Sequence, residues 1–231
     1  MNVWTYWEGP IPPHIQVCLD SMQKVLGQSL TILNPDTAEE AVGNNLNPNW
    51  TKLSQPALRA DALRAALLSI YGGWWWDADT VALKKPDCLS IEGASSLYTV
   101  WTKLPIRVLN GYIWFTENSP IAAKWLDSVN TALEHPENID WTAIGEKLLT
   151  GLVLNEPSAI KIDRCKLLPI DIDSDVGYFF EHRNLNDYLA VDPVCFGMNH
   201  SWFMYHKPKQ MALESWNEDL LIHQLLKYAQ K

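Results

Sequence analysis

Apolar and polar positions fall into blocks whose period changes along the chain. Residues 3–7 form a β-branched and aromatic run closed by Gly9-Pro10, and they predict a first strand. Pro12-Pro13 open a segment whose apolar spacing predicts a helix over 15–25. A second strand is expected over 29–33, then a turn at Asn34-Pro35-Asp36, and then a loop-like stretch to residue 53 with short helical pieces. Ser54-Gln55-Pro56 predicts a helix start, with Ser54 as cap and the helix running to about Ile70. Tyr71-Gly72-Gly73 ends it, because glycine tolerates a left-handed cap, and Trp74-Trp75-Trp76 are strong strand formers. Further strands are expected over 96–101, 108–115, 166–170 and 194–198, and further helices over 118–133, 141–154 and 213–228. The alternation predicts an α/β fold with a mostly parallel central sheet flanked by helices. Ligands of such sheets bind beyond the C-terminal ends of the strands, which is where Asp77 and Asp79 fall.

Composition narrows this picture. A chain of 231 residues with 47% hydrophobic content suits one domain covering 1–231 with a sizeable core. The net charge of −9 argues against nucleic-acid partners and against a polybasic membrane anchor. It leaves room for a phosphate-bearing ligand whose charge is met by a divalent cation. Four scattered cysteines without a CxxC pair read as thiols of a reducing compartment. No basic-then-apolar start and no run of ~18 apolar residues is visible, so the expectation is a cytoplasmic protein without a transmembrane segment. Peripheral docking at the inner face of a membrane stays open, although no basic amphipathic helix stands out. Twelve tryptophans add modest weight to carbohydrate chemistry, since sugar C–H faces pack on aromatic rings.

Three groups of residues carry candidate chemistry. Asp77 and Asp79 are two apart, so on an extended chain they face one way, and two neighbouring carboxylates repel unless a cation lies between them. Oxygen ligands of this kind suit Mg²⁺ or Mn²⁺. Asp61 and Arg64 are i and i+3 on a segment otherwise made of Ala and Leu, and a charged pair on so apolar a helix needs partners or a ligand. As a ligand site it would offer a carboxylate for sugar hydroxyls and a guanidinium for phosphate or sugar oxygens. Asn199-His200-Ser201-Trp202 form a polar and aromatic cluster after a predicted strand, whereas His14, His135, His182, His206 and His223 have no such setting and receive no role.

Arg59-Ala60-Asp61-Ala62-Leu63-Arg64, followed by Leu67-Leu68-Ser69-Ile70-Tyr71-Gly72-Gly73-Trp74-Trp75-Trp76-Asp77-Ala78-Asp79, resembles the core of the glycosyltransferases with a DXD sugar-binding region. That group includes capsular polysaccharide and lipooligosaccharide enzymes and yeast mannosyltransferases, with the glucosylating clostridial toxins as distant relatives. Its pattern is A-D-x-x-R, a helical spacer, and Y-G-G-x-Y-x-D-x-D; Trp76 stands where Tyr is common. Weaker similarity extends to the first strand, to Asn110-Gly111, to a G-P-x-x-L-T segment at 145–150 in which Glu146 replaces Pro, and to a shortened C-terminal H-x-x-x-S-W stretch at His200-Ser201-Trp202.

The resemblance implies a GT-A fold, a bound Mn²⁺ (or Mg²⁺), and a UDP- or GDP-sugar donor whose sugar passes with retention to a glycan or lipid-linked acceptor, as in capsular or surface polysaccharide synthesis. It implies catalytic roles for Asp61, Arg64, Asp77 and Asp79. Asp79 would be the more direct metal ligand, with Asp77 on ribose, sugar or metal and Asn199 or His200 completing the metal shell or touching the diphosphate. Asp61 and Arg64 would hold the donor sugar, Trp4 or Tyr6 would lie near the base, Asn110 near the acceptor side, and Ser201 and Trp202 among the substrate contacts. The alternatives are a non-catalytic GT-A-like protein that binds a sugar or nucleotide, and a metal-dependent phosphotransfer or hydrolytic enzyme. The latter would need a larger set of clustered acids and histidines than the sequence offers.

Overall fold

The computed structural model describes residues 1–89, 92–100, 105–170, 178–198, 200 and 217–231. Contacts divide the chain into two compact units, one of Met1–Gly9, Ser29–Asp77 and Leu89–Ile162, the other of Pro10–Gln28, Ala78–Cys88 and Asp163–Lys231. In chain order the described strands are β1 (Val3–Tyr6), β2 (Leu30–Leu33), β3 (Gly73–Trp76), β4 (Thr80–Ala82), β5 (Ser96–Tyr98), β6 (Tyr112–Phe115), β7 (Ala159–Lys161) and β8 (Cys195–Gly197). The described helices are α1 (Pro13–Leu26), α2 (Pro35–Val42), α3 (Pro56–Tyr71), α4 (Pro120–Ala132), α5 (Leu148–Val153), α6 (Leu185–Leu189) and α7 (Leu221–Ala229).

The first unit is built on a six-stranded sheet in the order β2-β1-β3-β6-β5-β7. β1 pairs in parallel with β2 and β3, and β5 with β7, while β6 runs against both β3 and β5. One reversed strand thus interrupts an otherwise parallel sheet. Parallel neighbours need crossover connections, and α2 and α3 lie in the chain between β2 and β3. α3 packs against β1, β3, β6, α2 and α4, which explains why its sequence lacks a single apolar stripe. Every residue from Asp61 to Leu68 is buried, so the helix is interior on nearly all sides. Trp4, Trp75, Ile113, Phe115 and Trp125 share one core cluster with it. The sheet and its flanking helices match the fold class expected from the alternation of elements.

The second unit pairs β4 and β8 antiparallel, Thr80 opposite Gly197 and Ala82 opposite Cys195. α1 packs on β4 and on α7. The Ser21 hydroxyl of α1 accepts the Ala82 backbone N–H at 2.9 Å, which fixes helix against strand through a buried polar contact.

Several local expectations are corrected. Asn34-Pro35 does not form a simple turn: Asn34 and Thr37 exchange capping hydrogen bonds, so α2 begins there. Gln55, not Ser54, precedes α3, and no side chain caps it; Pro56 occupies the first helical position, where its missing N–H costs nothing. Over 141–154 the expected single helix is a π-turn, Ala143–Lys147, leading into α5. No strand forms over 166–170; Leu167, Leu168 and Ile170 are buried as packing groups, and the edge strand is β7. Short apolar runs do not distinguish the two outcomes. β4, directly after Asp79, escaped the pattern because it is three residues long. Of the helix expected over 213–228, residues 213–216 lie outside the described residues, and α7 starts at Leu221.

The α3–β3 junction requires both of its glycines. Gly72 has φ +63° and Gly73 φ +92°, the region that L side chains rarely adopt. A Cβ on Gly72 would lie 2.6 Å from the Glu117 backbone N, and one on Gly73 would lie 2.5 Å from the Asn2 carbonyl oxygen. That oxygen already accepts the Trp74 N–H at 2.8 Å. Gly73→Ala is therefore expected to lower the urea unfolding midpoint, with a loss of at least about 1–3 kcal/mol from backbone strain alone. An unchanged midpoint would show that the junction does not need glycine.

Candidate functional site

In the first unit, α3 and the end of β3 bring three charged groups together. Asp61 and Arg64 lie one helical turn apart on α3, 8% and 4% exposed. Arg64 Nη2 reaches Asp77 Oδ1 at 2.9 Å and Asp61 Oδ1 at 3.4 Å, so one guanidinium bridges two carboxylates. Its Nε donates to the Ala60 carbonyl at 3.3 Å, and its charge lies over the Trp75 ring at 4.8 Å. The Trp75 indole N–H donates to the same Asp77 oxygen at 2.8 Å. Trp75 and Asp77 are two apart at a strand end, so they share a side, and the indole serves as a rigid donor.

Two backbone approaches finish the cluster. Asn110 Nδ2 donates to Asp61 Oδ1 at 2.8 Å, just before β6. The Asp77 N–H donates to the Gly111 carbonyl at 3.1 Å, and a Cβ on Gly111 would collide with Asp77 Oδ2. Gly145, in the π-turn, comes so near that a Cβ there would lie 2.5 Å from Asp61 Oδ2. π-turns of this kind cluster at functional sites. Glu146 follows Gly145, with Arg107 3.8 Å away.

The electrostatics of the cluster converge on Asp61. Burial pushes its carboxyl up to about 7; the Arg64 charge opposes this, the Asp77 charge adds to it, the Asn110 hydrogen bond opposes it, and Glu146 adds again. A carboxyl balanced near neutrality can both accept and donate a hydrogen bond to a polar ligand.

At β1, Trp4 and Tyr6 are buried with their polar ends turned to protein partners. The Trp4 indole N–H donates to the Gly72 carbonyl at 3.0 Å, and its ring lies 5.3 Å from that of Tyr71. The Tyr6 hydroxyl donates to Glu8 Oε2 at 2.6 Å, and Arg59 clamps the same carboxylate. Burial and the neighbouring Glu8 push the Tyr6 phenol well above its usual range.

In the second unit, Asp79 is 9% exposed, and its Oδ2 accepts the His200 backbone N–H at 2.5 Å. The Asp79 carbonyl accepts the Met198 N–H at 3.1 Å as β8 ends. His14, to which the sequence assigned no role, lies on α1 with its Nε2 2.9 Å from His200 Nδ1 and the ring centroids 4.9 Å apart. Burial pushes His14 down to about 4, helped by His200, and lowers His200 as well, so both rings are neutral in neutral solution. Asn199, Ser201 and Trp202 lie outside the described residues.

A carboxylate and an imidazole are donor types that suit Mn²⁺ or Mg²⁺, and a catalytic ion needs only a few protein ligands because substrate fills the rest. Asp79 and His200 fit such an ion by donor type. Among the described residues no group of three or more His, Cys, Asp or Glu could hold one by itself.

The structure brings the sequence candidates Asp61, Arg64, Asp77 and Asn110 together in the first unit and sets Asp79 against the His200 backbone in the second; Trp75 and His14, which also make contacts there, were not among the candidates. The i, i+2 spacing of Trp75 and Asp77 was a usable signal for the first; nothing local in the sequence pointed to the second.

Comparison with known proteins adds to this geometry. Residues 1–106 match the family described as "Capsular polysaccharide synthesis protein". Among solved structures, the glycosyltransferase GlyE of Streptococcus pneumoniae TIGR4 superposes with a TM-score of 0.53 at 10% identity, over 100% of this chain and 60% of GlyE. The fold is that of a glycosyltransferase. PaToxG glycosyltransferase is similar at 15% identity over 98% of this chain and 86% of its own, with a TM-score of 0.47. The galactosyltransferase LgtC, solved with donor and acceptor sugar analogues, is similar at 8% identity over 71% and 74%, with a TM-score of 0.43. No curated protein matches the sequence. The glycosyltransferase expected from residues 59–79 thus agrees with the matched family and with the fold, and the chain spans three-fifths of GlyE. No helix among the described residues is long and apolar enough to cross a membrane.

The raised Asp61 carboxyl has a consequence for stability. Its folded value, about 7, exceeds the ordinary 3.8, so between those values the folded state holds a proton that the unfolded state has released. Its stabilising contribution is complete below pH 3.8 and is lost as pH rises to about 7. From pH 4 to 7.5 the thermal midpoint of the wild type should fall relative to Asp61→Asn, with ~1.4 kcal/mol per unit of separation as the ceiling. Parallel pH profiles for the two proteins would contradict this account.

Proposed function

We propose that this glycosyltransferase moves a sugar from a UDP- or GDP-sugar to a glycan or lipid-linked acceptor, with Mn²⁺ or Mg²⁺, within capsular or surface polysaccharide synthesis. The observation that carries the reading is the Asp61–Arg64–Asp77 cluster, its first two members buried and Asp77 partly exposed, closed by Asn110, Gly111 and Gly145. Charged groups buried as Asp61 and Arg64 are costly unless paired or used, and their partner Asp77 lies at the end of a sheet strand, where α/β folds bind ligands.

In this reading the whole chain, 1–231, works as one transferase domain. Asp61 binds donor-sugar hydroxyls; its balanced protonation allows it to accept from one and donate to another. Arg64 fixes the Asp61 carboxylate and directs positive charge toward the donor's oxygens. Asp77, held by Arg64 and Trp75, faces the sugar or ribose, and Asn110 lies on the acceptor side. Asp79 and His200 hold the cation, with Asn199 beside them, and Ser201 and Trp202 contact the donor. The β1 end, with Trp4 and Tyr6, flanks the base. When bound, the cation supplies Lewis-acid neutralisation of the charge that builds on the leaving diphosphate. Anomeric configuration is retained, the leaving phosphate helping to deprotonate the acceptor hydroxyl on the same face.

The test is nucleoside-diphosphate release from a panel of UDP- and GDP-sugars, with Mn²⁺ and with chelator. Release should be metal-dependent, and Asp79→Ala should reduce it by about 100-fold or more, the scale of losing one main source of charge stabilisation. Turnover indifferent to chelator and to Asp79→Ala would sink the proposal. Sugar binding without nucleotide affinity would point instead to a non-catalytic binding protein.

A further inference from the structure

The second unit contains a histidine, His14, to which neither the proposed transfer chemistry nor the sequence gives a part. His14 belongs to α1 and is 4% exposed, on the buried side of that helix with Ile15, Cys18, Leu19, Ser21 and Met22. Placing an imidazole there rather than another apolar group costs desolvation unless the ring has a polar task. Its Nε2 meets His200 Nδ1 at 2.9 Å, across a sequence separation of 186 residues. The backbone N–H of the same His200 donates to Asp79 Oδ2. α1 therefore reaches the side chain of the residue whose main chain holds Asp79.

A hydrogen bond between two imidazole nitrogens has one donor and one acceptor. When His14 accepts, the proton lies on His200 Nδ1, and His200 Nε2 keeps its lone pair. That is the tautomer a metal ligand needs, and imidazole ligands are ordinarily oriented by a partner on the other ring nitrogen. The opposite arrangement would put a proton on His200 Nε2 and make it a donor instead. We infer that His14 is a positioning residue that accepts from His200 Nδ1 and thereby presents His200 Nε2 to the divalent cation. This rests on the proposed metal-dependent reading and adds to it a part for α1.

The experiment is titration of Mn²⁺, alone and with saturating UDP or GDP, into the full chain, followed by the electron paramagnetic resonance signal of free Mn²⁺. His14→Phe keeps the ring's bulk and removes the acceptor, and it should weaken Mn²⁺ binding about 10- to 100-fold, the range seen for partners of metal-ligating histidines. His14→Gln, whose side-chain oxygen reaches the Nε2 position, should restore most of that affinity and provides the folded comparison if the Phe variant is unstable. His14→Phe that folds and binds Mn²⁺ as the wild type does would overturn the inference while leaving the metal site intact, and so would a His14→Gln variant that fails to restore binding while folded. A wild type that binds no Mn²⁺ under any condition would overturn the metal reading itself.

Discussion

One buried guanidinium holds the first unit's polar centre together. Arg64 lies inside a helix surrounded by core, and its charge is met by Asp77 at 2.9 Å, by Asp61 at 3.4 Å and by the face of Trp75. Removing any one partner leaves a charge in an environment that cannot solvate it, and breaking a buried pair in this way typically costs about 3–5 kcal/mol. The surrounding features follow from that constraint. α3 is surrounded by core, so beyond its own Asp61–Arg64 pair and the Ala60 carbonyl the cluster is satisfied from the strand end at Trp75 and Asp77 and from Asn110. Glycine stands where any side chain would strike the Asp77 or Asp61 carboxylate. Two further glycines with positive φ carry the chain from α3 straight into β3, whose three tryptophans are fully buried and bring Asp77 to the guanidinium.

The two acidic residues of the D-x-D motif have different surroundings. Asp77 is paired with Arg64 and oriented by the Trp75 indole. Asp79 accepts from the His200 backbone and lies where the chain enters β4. Identical side chains two residues apart thus differ in their described partners, a guanidinium and an indole for Asp77 and a backbone N–H for Asp79.

Much of this was legible in the sequence, and the reasons are physical. An Asp–Arg pair inside a run of Ala and Leu signals a buried charge that must be answered elsewhere, and Gly-Gly before three tryptophans marks a helix stop and a strand start. The alternation of helices and strands was enough for the fold class. Long-range answers were not legible: nothing at Gly111 or Gly145 shows in advance which carboxylate the fold sets against it, and His14 looks like one more polar residue on an amphipathic helix until it meets a partner 186 positions away. Short elements failed for a related reason. β4 and β7 have three residues each, too few for a period to register, and the buried run at Leu167 and Leu168 looks like a strand because burial, not pairing, selected its residues.

The dependence of the first unit on Arg64 can be measured by a double-mutant cycle of Arg64→Met and Asp77→Asn, with the unfolding free energy taken from urea denaturation. The account predicts that the two changes are coupled: each alone is strongly destabilising, and the pair is less so than their sum by about 1–3 kcal/mol. Additivity to within ~0.5 kcal/mol would show that the guanidinium and the carboxylate are stabilised independently, and the bridge would then not be what organises the site.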